Sequence, residues 1–271
     1  MRSDLDVYDD LLRLQADASF DLEQSAIGSD AWLAAESVLD LGCGNSAYTR
    51  LLAERYKEKN FVGLEPDPGL FGRAAGGGAA NLRVLQGTLD DLPTGFRTDV
   101  LLLRLMLMYV RDIPAIARWA SENSSMTVVV NPDDELFEIS PPLARFTDVL
   151  ALNPGRIASL GGQRDSEALT IESWERTGHE LVGSHSVVVS SRPEWPIEKM
   201  HHLMLLNAEM IYGTPLPEPL YREVYEWALD PTAHIQYGFR IHRFINRRTA
   251  SRIPGQRDQA QIKNGMDARN G

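Results

Sequence analysis

Residues Ser37 to Tyr56, SVLDLGCGNSAYTRLLAERY, constrain the fold more than any other stretch. An apolar run closes on Asp40, two glycines follow at Gly42 and Gly44, and a helix-like pattern comes next. A strand, a tight glycine turn and a helix make a corner that suits a nucleotide-like ligand. Glycine lets the backbone approach without a Cβ in the way, and a helix N-terminus lies beside it. The alternation continues: NFVGLEP reads as a strand, GLFGRAAGG as a short helix, LRVLQG and DVLLLRL as strands, DIPAIARWASE as a helix and MTVVVNP as a strand. The strands are short, β-branched and almost continuously apolar, which suits burial on both faces. Strand–helix alternation predicts an α/β fold with a parallel sheet and right-handed crossovers.

The pattern changes after Pro132. IESWERTGHELVGSHSVVVS predicts a helix, a turn and a long strand, and GFRIHRFINRR predicts a last strand. Two helical stretches stand between those strands, split by the Pro-rich break GTPLPEP. We therefore expect an antiparallel hairpin at one sheet edge, with residues 193–233 inserted as a helical cap. Leu5, Tyr8, Leu11, Leu12 and Leu14 recur at helical spacing, so an amphipathic helical segment is expected up to about Trp32. The reading is one domain over residues 1–249, with 1–34 as an N-terminal helical segment. Residues 250–271 are polar and without periodicity and are expected to be disordered. AAGGGAA, from Ala74 to Ala80, is expected to be a flexible loop.

Composition narrows the function. A net charge of -11 argues against a nucleic-acid partner, because a phosphate backbone rewards Lys and Arg. One cysteine, Cys43, leaves no internal disulfide framework and fits a reducing compartment. No apolar run approaches the roughly 20 residues that span a bilayer, and the acidic start MRSDLDVYDD lacks a signal-peptide core. We expect a cytoplasmic protein without a membrane partner.

Two acids specify the ligand further. Asp40 stands before the glycines, where a fixed negative charge repels a pyrophosphate and attracts an ammonium group. Glu65 ends the next strand, the position from which an acid accepts both ribose hydroxyls. A cationic amino-acid part joined to a free ribose describes S-adenosylmethionine. VLDLGCG and FVGLEPD resemble the first two motifs of class I S-adenosylmethionine-dependent methyltransferases. VLQGTLDDLP is similar to the family's adenine-side motif, and DVLLLRLMLMYVRD to its fourth-strand motif. The resemblance covers roughly Ser37 to Pro132 and implies a Rossmann-like, seven-stranded, mostly parallel sheet with a reversed terminal hairpin. It places Asp40, Gly42, Cys43 and Gly44 on the methionine side of S-adenosylmethionine. It places Glu65 and Pro66 at the ribose, Thr88 and the backbone N–H of Leu89 at the adenine, and the backbone near Leu103 and Arg104 at the pocket's close. It also implies that the N-terminal helical segment acts as a lid. Two departures stand out. Ser46 replaces a frequent third glycine, and its hydroxyl is a candidate cap for the following helix. Thr88 stands where an acid usually meets the adenine amino group, with Asp90 as an alternative acceptor.

The chemistry is less legible. Many relatives place a His or Glu after the fourth strand, about where this chain has Met108, and methionine cannot act as a base. Asn131, just past the fifth strand, is a candidate for orienting substrate or cofactor; a turn before Pro132 explains it equally. Tyr8 is a lid candidate, with a core-facing aromatic as the simpler reading. Arg104 either holds a carboxylate substrate or pairs with an acid. His201 and His202 are adjacent and point about 100° apart on a helix, so one of them at most lines a pocket; His202 is carried as a candidate base. Met200, Leu203, Met204 and Met210 read as core, or as an adaptable apolar wall. No metal site is expected. The leading function is methyl transfer to a small molecule, with secondary metabolism as its setting and oligomeric state open. The first alternative is a cyclase in which the cofactor's own amino group attacks Cγ, giving azetidine-2-carboxylate and methylthioadenosine. The second is a non-catalytic cofactor-binding relative.

Overall fold

The computed structural model describes residues 3–76, 78–191 and 196–248. The expected disordered tail, 250–271, lies outside the described residues, as do residue 77 of the glycine patch and residues 193–195 of the expected cap. The chain begins with α1 (Asp4–Ile27) and α2 (Asp30–Ala34). Then come β1 (Ser37–Leu41), α3 (Ala47–Arg55), β2 (Asn60–Glu65), α4 (Pro68–Ala74), β3 (Leu82–Gln86) and β4 (Thr98–Arg104). They are followed by α5 (Ile113–Asn123), β5 (Ser124–Ser140), α6 (Ala144–Leu150), α7 (Asn153–Ser159) and α8 (Glu167–Arg176). The last elements are β6 (His179–Ser190), α9 (Ile197–Tyr212), α10 (Glu218–Ala228) and β7 (His234–Asn246).

The seven strands form one sheet in the order β3-β2-β1-β4-β5-β7-β6. The first five pair in parallel, and β7 runs antiparallel to both β5 and β6. The α/β fold with a reversed terminal hairpin is therefore the observed one. The order reverses between β1 and β4, whose carboxyl ends open a crevice where ligands of such sheets bind. Strand periodicity explains how both faces are covered. Val38, Val100, Leu102, Val128 and Val130 join a core cluster with α1, α3 and α9. Their chain neighbours Leu39, Leu101, Leu103 and Val129 join a second cluster with α5 and α8.

Local signals set several boundaries. Ser3 caps α1 in a reciprocal box with Asp6, and Asp67 and Asp112 accept the free backbone N–H groups at the starts of α4 and α5. The helix expected up to Trp32 is instead broken at Gly28 and Ser29, and Ser29 caps α2. Two expectations need correction. Asn131 does not lie past the fifth strand: β5 runs 17 residues, because β7 pairs with it from Met126 to Ser140, with a register shift between Asp133 and Glu138. The segment 141–165, for which the sequence predicted no element, carries α6 and α7.

Candidate functional site

The crevice at the carboxyl ends of the strands opens into a cavity of about 630 Å³, within the roughly 300–1,000 Å³ typical of small-ligand sites. Tyr8, Asp40, Gly42, Cys43, Gly44, Glu65, Pro66 and Arg104, all named from the sequence, line it. The turn after β1 is held by its neighbour strand, since Gly42 N–H and Cys43 N–H both donate to the Leu64 carbonyl. Gly42 and Gly44 adopt φ of +72° and +58°. A Cβ at Gly44 would stand 2.8 Å from Leu12 Cδ1 of α1, so the missing side chain lets α1 lie directly on the turn.

The two acids occupy different settings. Asp40 accepts a hydrogen bond from the Thr49 hydroxyl, and burial pushes its carboxyl up to about 6. A buried carboxylate with one short partner gains strongly from a nearby cation. Glu65 is clamped by Gly44 N–H at 2.8 Å and Asp67 N–H at 2.9 Å, and burial raises its pKa despite both bonds. Burial also pushes the Cys43 thiol up, which removes it as a nucleophile. Tyr8 is likewise held as the neutral phenol by burial.

Arg104 has a defined task, of the second kind considered from the sequence. Its Nε and Nη2 bond the Glu23 carboxylate and its Nη2 also the Ser19 hydroxyl, all on α1. Its guanidinium lies 4.2 Å over the Tyr48 ring. Burial alone would lower the Arg104 pKa; the Glu23 carboxylate outweighs it and raises it. Asn45 fastens the other half of α1, donating to the Asp9 carbonyl and carboxylate at 2.9 Å each. The α1 helix, whose Tyr8, Leu11, Leu12 and Gln15 line the cavity, is thus pinned by side chains from the turn and from β4.

Several sequence-named residues stand elsewhere. Thr88 and Leu89 do not line the cavity: the Thr88 hydroxyl is engaged with Asp91, and Leu89 packs against the α5-side core. Leu103 is fully buried in that same core. Asn131 is buried beside Arg240 of β7, its amide without a hydrogen-bond partner among the described residues, and it does not reach the lining. His202 is exposed on α9, and the half-buried His201 ring stacks edge-on with Tyr225 of α10 at 6.1 Å. Neither histidine lines the cavity. The Ser46 hydroxyl caps nothing; Asn45 Oδ1 accepts the Ala47 N–H instead.

Beyond the glycine corner, much of the lining is apolar. Met200, Leu203, Met204 and Met210 of α9 face it together with Phe146 of α6, Phe137 of β5 and Phe239 of β7. Sequence reasoning missed Phe137, Phe146, Asn207 and Tyr237 as lining residues. The available signal was Asn207, a polar residue interrupting an apolar helical stripe. Among the described residues no group of three metal-ligating side chains forms, and no helix is long and apolar enough to cross a membrane.

Residues 38–125 match a family model described as a methyltransferase domain. A curated relative, trans-aconitate 2-methyltransferase of Deinococcus radiodurans, is 32% identical over 79 residues, which is 29% of this chain and 30% of that protein. The matched stretch therefore spans under a third of that relative's length. A solved structure described as a candidate methyltransferase from Bacillus halodurans C-125 superimposes with a TM-score of 0.51 at 14% identity, covering 83% of this chain and 97% of that one. A candidate sarcosine dimethylglycine methyltransferase from Galdieria sulphuraria gives a TM-score of 0.48 at 16% identity, covering 83% of each chain.

Proposed function

We propose that this chain, whose residues 38–125 match a methyltransferase-domain family, is a class I S-adenosylmethionine-dependent methyltransferase that transfers a methyl group to a small molecule held beside the glycine corner. The observation that carries this reading is one cavity with two unlike ends. At one end Asp40, Gly42, Gly44 and Glu65 converge; the other is an apolar chamber walled by α6, α9 and β7.

The donor end fits S-adenosylmethionine by its chemistry. Asp40, buried and raised towards 6, gains from the ligand's ammonium group. Glu65 is fixed by two backbone N–H groups and keeps lone pairs for ribose hydroxyls. Bound there, S-adenosylmethionine supplies an electrophilic methyl group. The α1 helix lines the cavity, held by Arg104 and Asn45, and proximity supplies much of the acceleration. No histidine is among the lining residues. The acceptor therefore brings a lone pair that needs no prior deprotonation by an imidazole, and any proton it carries leaves to solvent after transfer. The substrate in the Deinococcus relative's name is not carried over, because the family match ends at residue 125, before α6, α9 and β7.

Mass spectrometry after incubation with S-adenosylmethionine tests the reading. S-adenosylhomocysteine released only when an acceptor is added supports it. Methylthioadenosine formed without an acceptor would replace it with the cyclase chemistry, and failure of S-adenosylhomocysteine to bind at all would refute it.

A further inference from the structure

The chamber wall contributed by α9 has a pattern that selects a class of acceptor. Met200, Leu203, Met204, Asn207, Met210 and Ile211 all face the cavity. At 100° per residue they fall within an arc of about 120°, and Asn207 lies near its middle. An asparagine at the centre of an apolar stripe is costly to bury unless its amide is satisfied. One half is: Nδ2 donates to the Leu203 carbonyl at 2.9 Å. That bond fixes the amide's orientation, since a carbonyl only accepts. Oδ1 accepts no hydrogen bond among the described residues and is the polar atom the stripe offers to a ligand.

Away from Asp40 and Glu65, the charged residues on the same lining are matched within the protein. Asp133 pairs with Arg240 at 2.7 Å, Arg164 with Asp134 at 2.6 Å, and Arg104 with Glu23 at 2.9 Å. No unmatched cation waits for a carboxylate or phosphate. The methionines are unbranched and adapt to an irregular apolar shape.

Resting on the methyltransferase reading, we propose that the acceptor is an uncharged, mainly apolar molecule carrying an O–H or N–H that donates to Asn207 Oδ1. Polycarboxylates and phosphorylated molecules are excluded by the same lining. Asn207 is a specificity-determining residue: it orients the acceptor and takes no part in holding the donor.

Calorimetry on the protein saturated with S-adenosylhomocysteine tests this with four probes. They are 2-naphthalenemethanol, 2-methylnaphthalene, 2-naphthoate and propane-1,2,3-tricarboxylate. The naphthalenemethanol should bind about tenfold tighter than the methyl and carboxylate analogues, the scale of one net hydrogen bond, and the tricarboxylate should give no heat. In Asn207→Leu the preference over 2-methylnaphthalene should vanish while S-adenosylhomocysteine affinity stays at the wild-type value. Tighter binding of either carboxylate would overturn the proposal in the unmutated protein. So would no probe binding to a protein that does bind S-adenosylhomocysteine, or a preference that survives Asn207→Leu. Failure of S-adenosylhomocysteine itself to bind removes the methyltransferase reading, and is told apart by being measured first.

Discussion

The two ends of the cavity are built in opposite ways. The donor end is a local, polar construction: Asp40, Gly42, Gly44 and Glu65 lie within one strand–turn–helix–strand unit and are wired by backbone hydrogen bonds. The acceptor end is assembled from α1, α6, α9 and β7, far apart in the chain, and is mostly side-chain surface. Backbone geometry tolerates little change, whereas an apolar wall can be resurfaced one side chain at a time. Under the proposed function, the chain carries a fixed device for a common donor beside an adjustable mould for a particular acceptor.

The sharpest way to break this contrast is at the joint, where Arg104 ties α1 to β4. Arg104→Met leaves the Glu23 carboxylate buried without its partner, which should cost about 3–5 kcal/mol in urea unfolding. The double variant Glu23→Leu with Arg104→Met should recover most of that loss; if it does not, the pair is more than a latch. Next in size, Asp40→Ala should weaken S-adenosylhomocysteine about 100-fold by calorimetry, the scale of a lost buried charge-assisted contact. Binding of 2-naphthalenemethanol should be far less affected, because the chamber is separately built. Comparable losses at both ends would show that the two regions fold and bind as one.

A smaller effect comes from pH. Burial places Asp40 at about 6 in the folded chain against an ordinary 3.8. The folded protein thus holds this proton more tightly than the unfolded chain. Asp40's contribution to stability is full below 3.8 and is lost as pH rises through about 6. Ligand ammonium needs the ionised form, so S-adenosylhomocysteine affinity should rise about tenfold from pH 5 to 7, with proton release on binding near pH 6. Asp40→Asn should flatten that profile. The smallest change is expected in the acceptor wall: Met204→Ala should alter 2-naphthalenemethanol affinity by about threefold or less, since neighbouring methionines can close on the space.

What was legible in the sequence follows the same division. Asp40, Gly42, Gly44 and Glu65 could be named because each acts through chemistry and spacing within a few residues of a strand end. Asn131 was read as a loop residue because nothing local announces that β7 will pair with β5 past Pro132; Arg240, its partner across the sheet, is over one hundred residues away. Where the side chains of Thr88, Leu89, Leu103 and His202 lie was hidden for a related reason. A motif position or a helix fixes where a backbone goes, whereas Asp91 and the α5-side core decide which side chains are taken up elsewhere, and packing leaves His202 exposed on α9. Arg104 was open between binding a ligand and pairing with an acid until the fold brought Glu23 to it.

By itself the sequence determined the strand–helix alternation, the parallel sheet and the donor corner, because propensity, period and turn chemistry act over short stretches of chain. The tertiary structure alone decided the length of β5, the pinning of α1 by Arg104 and Asn45, and the apolar chamber with Asn207 at the centre of its α9 wall. Those depend on packing between elements distant in sequence, where burial and pairing are set by which surfaces meet.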